Sequence, residues 1–312
     1  MIEVKNLVKR YGDHTAVNDL SFTVNKGQIL GFLGPNGAGK STTMNIITGY
    51  ISATEGTVTI NGLDVFEEPE EVKKMIGYLP ENPPLYPDLT VMEYLNFVAD
   101  IKKVKRSEKK KMVADIMEAT KITEMRNRLI KHLSKGYKQR VGLAQAIMGY
   151  PELIILDEPT VGLDPKQIIE IRELIRDLSK NHTVILSSHI MQEVSAVCDS
   201  VMIIDKGRKI VQDKPENLSL HFGSTGCVKL VIRGEKTPII DELKKIPKII
   251  NIEEEEAIEN GTVSLTVYCK EDEDIREEVF YSMSRIKTPI LEMQSLRMSL
   301  EDIFIKVTQD DA

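Results

Sequence analysis

The chain has 312 residues, 41% hydrophobic and 29% charged, with a formal net charge of −7. That length exceeds the usual single core, so one large domain with a smaller one is expected, of ordinary soluble globular composition. No apolar run approaches the ~18 residues that a membrane span needs, and MIEVKNLVKRYG lacks the apolar core of a secretory leader, so a cytosolic protein is expected. Cys198, Cys227 and Cys269 lie too far apart in sequence for a recognisable metal or redox motif and read as reduced, structural thiols. Charge is unevenly placed. Residues 220–312 hold 12 Lys and Arg against 19 Asp and Glu, leaving 29 of each sign in residues 1–219. So acidic a C-terminal part argues against a general nucleic-acid surface there.

From Ile2 to Val24 the pattern is strand-like, broken at Tyr11-Gly12-Asp13, with Leu20, Phe22 and Val24 alternating with polar residues. Taken alone, Tyr11 fits a core or surface tyrosine better than a ring that stacks on a nucleotide base. An apolar strand, Ile29 to Leu33, then runs into GPNGAGKST, Gly34 to Thr42. This fits the phosphate-cradling pattern G-x-x-x-x-G-K-[ST], and it leads into the helical run Thr43-Met44-Asn45-Ile46-Ile47. Gly34, Gly37 and Gly39 let the backbone of Asn36 and Ala38 curl so that N–H groups point inward, with the helix dipole behind them. Lys40 supplies a mobile charge for β/γ-phosphates, Ser41 a hydroxyl for Mg²⁺, and Thr42 completes the stretch.

Next come a strand from Gly56 to Ile60, a hairpin turn at Asn61-Gly62 and a strand from Ile76 to Leu79. Three prolines in Glu81 to Thr90 forbid regular structure there. Thr90 and Glu93 spell a capping box that starts a helix to about Ile101, and Ser107 is expected to cap a second helix to about Thr120. The basic run Lys102 to Lys111 reads as a solvated helix face and turn. These helices suggest a mainly helical subdomain, inserted from Thr90 to Lys131 and extending to about residue 150.

The stretch LSKGYKQR, Leu133 to Arg140, opens a helix to Met148, with the hydroxyl of Ser134 and the N–H groups near Gly136 facing outward. Leu153 to Leu156 is an apolar strand closed by Asp157, and Glu158-Pro159-Thr160 follow. Strand alternation is expected to send Asp157 and Glu158 to opposite sides, one toward hydrated Mg²⁺ and the other toward water. Val161 to Asp164 makes a turn, and Pro165 starts an amphipathic helix to Ser179. The strand Thr183 to Leu186 ends in Ser187-Ser188-His189, placing a histidine at the carboxyl end of a buried strand. Val201 to Ile204, a Lys206-Gly207 turn and Arg208 to Gln212 follow. A helix from Pro215 to His221 then leads to a boundary at Gly223 to Gly226.

In their order, GPNGAGKST, LSKGYKQR, LIILDEPT, VGLD and His189 resemble an ATP-binding cassette (ABC) ATPase over about residues 1–220. The resemblance implies an α/β fold, a P-loop NTPase of ABC type with a helical subdomain over residues 1–222. It also implies a head-to-tail dimer holding two ATP molecules, each between Gly34 to Thr42 of one subunit and Ser134 and Gly136 of the other. It further implies Tyr11 as the adenine-stacking residue, Asp157 as the Mg²⁺-associated aspartate and Glu158 as the general base. Asp164 becomes a cross-dimer loop residue and His189 a switch that senses the γ-phosphate. Two positions depart from the commonest pattern. Lys135 stands where one glycine of a glycine pair is usual, bringing positive charge near the phosphates. Glu81 stands where a Mg²⁺-contacting glutamine is usual, which is expected to retune the coupling step rather than abolish it.

YLPENPPLY, LSKGYKQRVGLAQA and SLEDIFIKVT are similar to segments of the cytosolic ATPases of ABC-2-type exporters, including the sodium-export and gliding-motility types. That implies a location on the inner face of the cell membrane and a groove near Leu85 to Tyr94 that docks a helix of a separate membrane-spanning permease. Both half-sites stand intact in this chain, so a homodimer is expected, although the sequence leaves a heterodimer open. A soluble cassette ATPase acting on ribosomes or DNA is the alternative. It fits less well with one cassette, no sustained heptads between Lys40 and Ser134, and an acidic C-terminal part. A phosphotransferase leaves LSKGYKQR and His189 unexplained.

Residues 227–312 read as an accessory domain, with strand, helix, strand, strand, helix and strand in the βαββαβ order of a small α+β, ferredoxin-like module. It resembles the regulatory domains that follow the cassettes of lipid-exporting A-class transporters. Dimer stabilisation is the favoured role over a structural appendage. Ser299 to Val307 reads as a short helix packing back on a neighbour.

Overall fold

The computed structural model describes residues 1–218, 227–255, 259, 261–269 and 274–296, and the chain divides into two compact units after Pro215. The helix expected to end at His221 is described only as a 3-10 turn, Pro215–Asn217. The boundary at Gly223 to Gly226 and the helix at Ser299 to Val307 lie outside the described residues.

The first unit is built on two sheets. In the first, β1 (Ile2–Tyr11), β2 (His14–Val24), β4 (Glu55–Ile60) and β5 (Leu63–Asp64) lie in the order β2-β1-β4-β5, all antiparallel. The Asn61-Gly62 turn forms as expected, with φ of 51° and 85° at the two positions where a type I′ hairpin demands left-handed backbone. The second sheet has six strands: β3 (Ile29–Leu33), β6 (Ile76–Leu79), β7 (Leu153–Asp157), β8 (Thr183–Ser188), β9 (Ser200–Asp205) and β10 (Arg208–Asp213). Their order is β10-β9-β3-β8-β7-β6, parallel except for the edge strand β10. Every residue of β3, β7 and β8 is buried, as expected for strands covered on both faces.

The helix after the glycine-rich loop, α1 (Lys40–Ile47), sends Met44, Ile46 and Ile47 into an apolar core shared with both sheets through Leu7, Leu20, Phe32, Ile155 and Ile185. Burying each such side chain contributes ~1.5–3 kcal/mol, so the loop is anchored in the core through β3 before it and α1 after it. A short helix not read from the sequence, α2 (Pro69–Met75), carries Pro at its start, Glu70 and Glu71 in its first turn and Lys73 and Lys74 in its last.

The helical part contains α3 (Val91–Ile101), α4 (Arg106–Ala119) and α5 (Lys135–Ile147). Both halves of the expected capping box form: Glu93 Oε2 accepts from Thr90 N at 2.8 Å, and Thr90 Oγ1 accepts from Glu93 N at 3.2 Å. Such a cap is worth ~1 kcal/mol. Ser107 does not cap α4, which begins at Arg106 behind Lys105 with no side-chain cap. The basic run is not wholly solvated either, since Lys102 Nζ donates to the carbonyl of Ile76 at 3.2 Å. The unit is completed by α6 (Pro165–Ser179) and α7 (Met191–Val197). At Gly31 an added Cβ would lie 2.3 Å from Val194 Cγ1, so the missing side chain is what lets α7 lie against β3.

In the second unit, β11 (Cys227–Arg233), α8 (Lys236–Leu243), β12 (Ile249–Glu255), β13 (Thr262–Cys269), α9 (Arg276–Arg285) and β14 (Ile290–Leu296) follow in the βαββαβ order. The sheet order is β12-β13-β11-β14, with every pair antiparallel. Ile239 and Leu243 of α8 and Val279 and Met283 of α9 pack on Val228, Leu230, Leu265 and Val267. The buried Glu242 links the two helices, accepting from Lys245 at 2.5 Å and from Arg285 at 2.9 Å.

Candidate functional site

Parallel pairing brings four loops to one edge of the six-stranded sheet. Leu33 of β3 lies opposite Ser188 of β8, Ser187 opposite Asp157 of β7, and Leu156 opposite Leu79 of β6. The Gly34 to Thr42 loop, His189, Glu158 and Glu81 therefore all follow the carboxyl ends of neighbouring strands, where open α/β sheets bind ligands.

The loop has the form of an anion cradle. Gly37 and Gly39 adopt left-handed backbone, with φ of 84° and 99°. Gly39 is the N-cap of α1, and a Cβ there would lie 2.4 Å from the carbonyl oxygen of Ala16. Gly34 is as tightly held, since a Cβ would lie 2.5 Å from the carbonyl oxygen of Ile204. Asn36, Gly37 and Ser41 are exposed, Thr42 is half-buried and Ala38 is buried. Lys40 is only 7% exposed, and its Nζ donates to the carbonyls of Gly34 at 2.7 Å and Pro35 at 3.1 Å. Burial pulls its ammonium below the usual lysine range, while the charges of Glu158 and Asp157 oppose that shift. An ammonium whose hydrogen bonds go to neutral carbonyls gains when an anion enters. Loop and lysine thus fit a polyphosphate.

The two carboxylates are fixed differently. Asp157 closes β7 and accepts from Ser187 Oγ at 2.6 Å. Glu158 lies beyond the strand, so alternation does not set its direction as the sequence suggested. A left-handed backbone, φ 49°, turns it instead, with its N–H bonded to the carbonyl of Ser187 at 3.1 Å. Such a conformation costs a non-glycine residue ~1–3 kcal/mol and concentrates at functional sites. His189 Nδ1 contacts Glu158 Oε2 at 2.9 Å. Burial pushes the Glu158 carboxyl above the usual range, partly offset by the His189 hydrogen bond and by His189 and Lys40 charge, and reinforced by Asp157. Lys40, Asp157, Glu158 and His189 form one electrostatic cluster.

Ser134, Gly136 and Asp164 gather elsewhere in the unit, where α5 starts beside the start of α6. Ser134 caps α5, but its hydroxyl is engaged rather than free, accepting from Tyr137 N at 3.4 Å. Gly136 is buried, and a Cβ there would lie 2.5 Å from Gln167 Oε1. Asp164 caps α6, its Oδ1 accepting from Gln167 N at 2.9 Å. Lys135 lies over the VGLD turn of its own chain, with its Nζ 2.2 Å from where a Gly162 Cβ would be. A half-buried ion pair between Arg140 and Glu170, with Arg140 also donating to the carbonyl of Thr120 at 3.3 Å, links α5 to α6. Among the described residues no hydrogen bond or ion pair joins Ser134, Gly136 or Asp164 to the phosphate-type loop.

Tyr11 is 50% exposed at the tip of the β1–β2 hairpin, with Lys9 Nζ 5.2 Å from its ring centroid. Glu81 is exposed in the bend after β6. Beside that bend a groove of about 1070 Å³ is lined by Tyr50, Pro84, Tyr86, Tyr94, Phe97 and Ile101, among others. Tyr86 stacks edgewise on Tyr94 at 5.8 Å and is tilted on Phe97 at 5.3 Å. No helix of the described residues is long and apolar enough to cross a membrane.

Sequence reading missed Ser187, whose hydroxyl donates to Asp157, and the buried pair Thr160 and Glu193, hydrogen-bonded to each other. Ser187 could have been found, since it directly precedes Ser188-His189 at the strand end. Thr160 and Glu193 carry no such signal.

A model of the ABC transporter family matches residues 17–161. The linearmycin resistance ATP-binding protein LnrL of Bacillus subtilis (strain 168) is 31% identical over 309 residues, covering 99% of this chain and 98% of its own. The bacitracin transport ATP-binding protein BcrA of Bacillus licheniformis is 40% identical over 217 residues, 69% of this chain and 70% of its own. Among solved structures, the dimeric post-hydrolysis ATP-binding cassette MJ0796 bound to ADP and Pi matches with a TM-score of 0.63 at 26% identity, covering 69% of this chain and 98% of that one. With the cradle, the carboxylate cluster and full-length similarity in agreement, the chain belongs to the ABC transporter family, as an ATP-binding and ATP-hydrolysing subunit of the exporter type.

Proposed function

We propose that this subunit works as a homodimer on the inner face of the cell membrane, driving a separate membrane-spanning permease of the ABC-2 type. The observation that carries the reading is the convergence of Lys40, Asp157, Glu158 and His189 at one sheet edge. In this reading Gly34 to Thr42 hold the ATP phosphates and Tyr11 stacks on the adenine. Glu158 takes a proton from the attacking water as its oxygen bonds to the γ-phosphorus and the bond to the departing ADP oxygen breaks. Lys40 stabilises charge on the phosphoryl group, and His189 orients Glu158. The exposed Ser41 hydroxyl and the Asp157 and Glu81 carboxylates are hard oxygen donors suited to Mg²⁺, which neutralises phosphate charge when bound.

Ser134, Gly136 and Asp164 would meet the nucleotide of the second subunit, an arrangement supported by the dimeric cassette among the structural relatives. ATP binding closes the pair and hydrolysis opens it. The aromatic side chains lining the groove beside α3 offer apolar surface to a helix of the permease, which would couple that motion to export. The second unit, read as a ferredoxin-like module, would stabilise the dimer.

The test is to isolate tagged Glu158→Gln protein from native membranes in mild detergent with ATP and identify what co-purifies by mass spectrometry. A polytopic membrane protein is expected. Ribosomal or DNA-bound partners without any membrane subunit would overturn the reading.

A further inference from the structure

Glu193 sits in the first turn of α7 and is only 3% exposed, yet among the described residues it forms no ion pair. Charged side chains are seldom buried without a compensating charge. What Glu193 meets instead are two hydroxyls. Its Oε2 accepts from Thr160 Oγ1 and, at 3.4 Å, from Ser188 Oγ, while its Oε1 has no partner among the described residues. Thr160 is itself 3% exposed and stands two residues beyond Glu158; Ser188 is buried and directly precedes His189. Ser188 Oγ also accepts from Ile190 N at 3.0 Å, which fixes the backbone on the far side of the histidine. One carboxylate oxygen therefore ties together the loop that carries Glu158 and the strand end that carries His189.

We infer that Glu193 is a positioning residue for ATP hydrolysis, a buried tether that holds the Glu158 loop and the His189 strand end in register. Asp157 is the last residue of β7, and beyond it the left-handed Glu158 is joined to β8 through its N–H bond to the Ser187 carbonyl; Glu193 adds a side-chain tie through Thr160, two residues further on. Valine neighbours on α7, Val194 and Val197, already supply the apolar packing. An aliphatic residue at 193 would fill the space while depriving both hydroxyl donors of their acceptor. The inference rests on the reading of Glu158 as the general base. Glu193 touches neither reacting atom in this account. It acts through Thr160 and Ser188.

Steady-state hydrolysis and equilibrium ATP binding of Glu193→Leu, Glu193→Gln, Thr160→Val and Glu158→Gln test it. The Glu193→Leu and Thr160→Val variants are expected to lose on the order of 10- to 100-fold in kcat, the scale of a small misplacement of a reacting group, with KM and ATP affinity unchanged. Glu193→Gln should keep most of the activity, because an amide oxygen accepts from both hydroxyls as a carboxylate does. Thr160→Val removes one hydroxyl and serves if Glu193→Leu does not fold. Full kcat in both the Leu and Val variants overturns the tether, as does a parallel loss of kcat and ATP affinity, or a Gln variant as impaired as the Leu variant. If Glu158→Gln still hydrolyses ATP, the base assignment fails first. An inactive Glu158→Gln beside fully active Leu and Val variants rejects the tether alone.

Discussion

The strand-end half of the site and the helix-start half are held by different physics. Lys40, Asp157, Glu158 and His189 are linked by charge and hydrogen bonding: the two carboxylates oppose the downward shift of Lys40, and His189 and Lys40 oppose the upward shift of Glu158. Ser134, Gly136 and Asp164 instead sit where α5 begins beside α6, with Ser134 and Asp164 capping their own helices. The first half thus carries its chemistry within one chain. The second is a rigid surface, stiffened by the Arg140–Glu170 pair and by the close fit of Gly136 to Gln167. Disabling the two halves should therefore look different: damage to the first stops hydrolysis with ATP still bound, whereas damage to the second loosens the association that hydrolysis depends on.

The largest effect is expected at Glu158. Replacing it by Gln removes the proton acceptor while keeping shape, and should lower steady-state hydrolysis by about 10²- to 10⁴-fold. ATP affinity should hold, because the loop and Lys40 are untouched, and ATP-dependent dimer should accumulate by size-exclusion chromatography. Retained turnover would remove Glu158 from the base role and weaken the contrast between the halves.

A smaller effect is expected from Gly136→Ala. The new methyl group would lie 2.5 Å from Gln167 Oε1, the far end of a flexible side chain, so Gln167 must swing aside. That movement disturbs the helix start without reaching Lys40 or Glu158. Hydrolysis should fall on the order of 10²-fold, comparable to losing one aligned donor to developing phosphoryl charge. ATP binding to the monomer should be unchanged, and dimer formation in the Glu158→Gln background should be lost. Were Gly136→Ala to bind ATP poorly as a monomer, the two halves would not be separable.

The halves also differed in how far sequence could reach them. The strand-loop-helix around Lys40 was readable because its glycines answer a backbone demand, and the realised left-handed φ at Gly37 and Gly39 shows which ones. Thr90 with Glu93 was readable for the same reason, since a cap is a local bond. The helix α2 escaped notice because only Val72 is buried, so no apolar period marks it. Ser107 misled, being a capping residue type one position inside a helix that starts without a side-chain cap. Glu158 was found by type, but its direction was misjudged, because strand logic ends at Asp157 and a left-handed turn takes over. Glu193 was invisible: a glutamate in a short helix reads as solvated until the tertiary fold buries it against Thr160 and Ser188.

The finest separation of the two halves comes from pH. Burial raises the Glu158 carboxyl above the usual range, and a general base works only when deprotonated, so kcat/KM should fall as pH drops through that raised value. His189 opposes the rise through its hydrogen bond and its charge. Removing it in His189→Ala should therefore move the acidic limb to still higher pH, whereas Gly136→Ala should leave the limb where it is and lower only its height. The same ATP is used throughout, so titration of the nucleotide's own phosphate cancels in the comparison. Stability should respond with the opposite sign. Between the unfolded and the raised folded value the native state binds more protons, so this group's contribution weakens as pH rises through that window, and Glu158→Gln should relieve it. pH–rate series on the wild type, His189→Ala and Gly136→Ala, with pH–melting series on the wild type and Glu158→Gln, measure both signs. An acidic limb that stays fixed in His189→Ala would mean that His189 does not tune Glu158, despite the 2.9 Å contact between them.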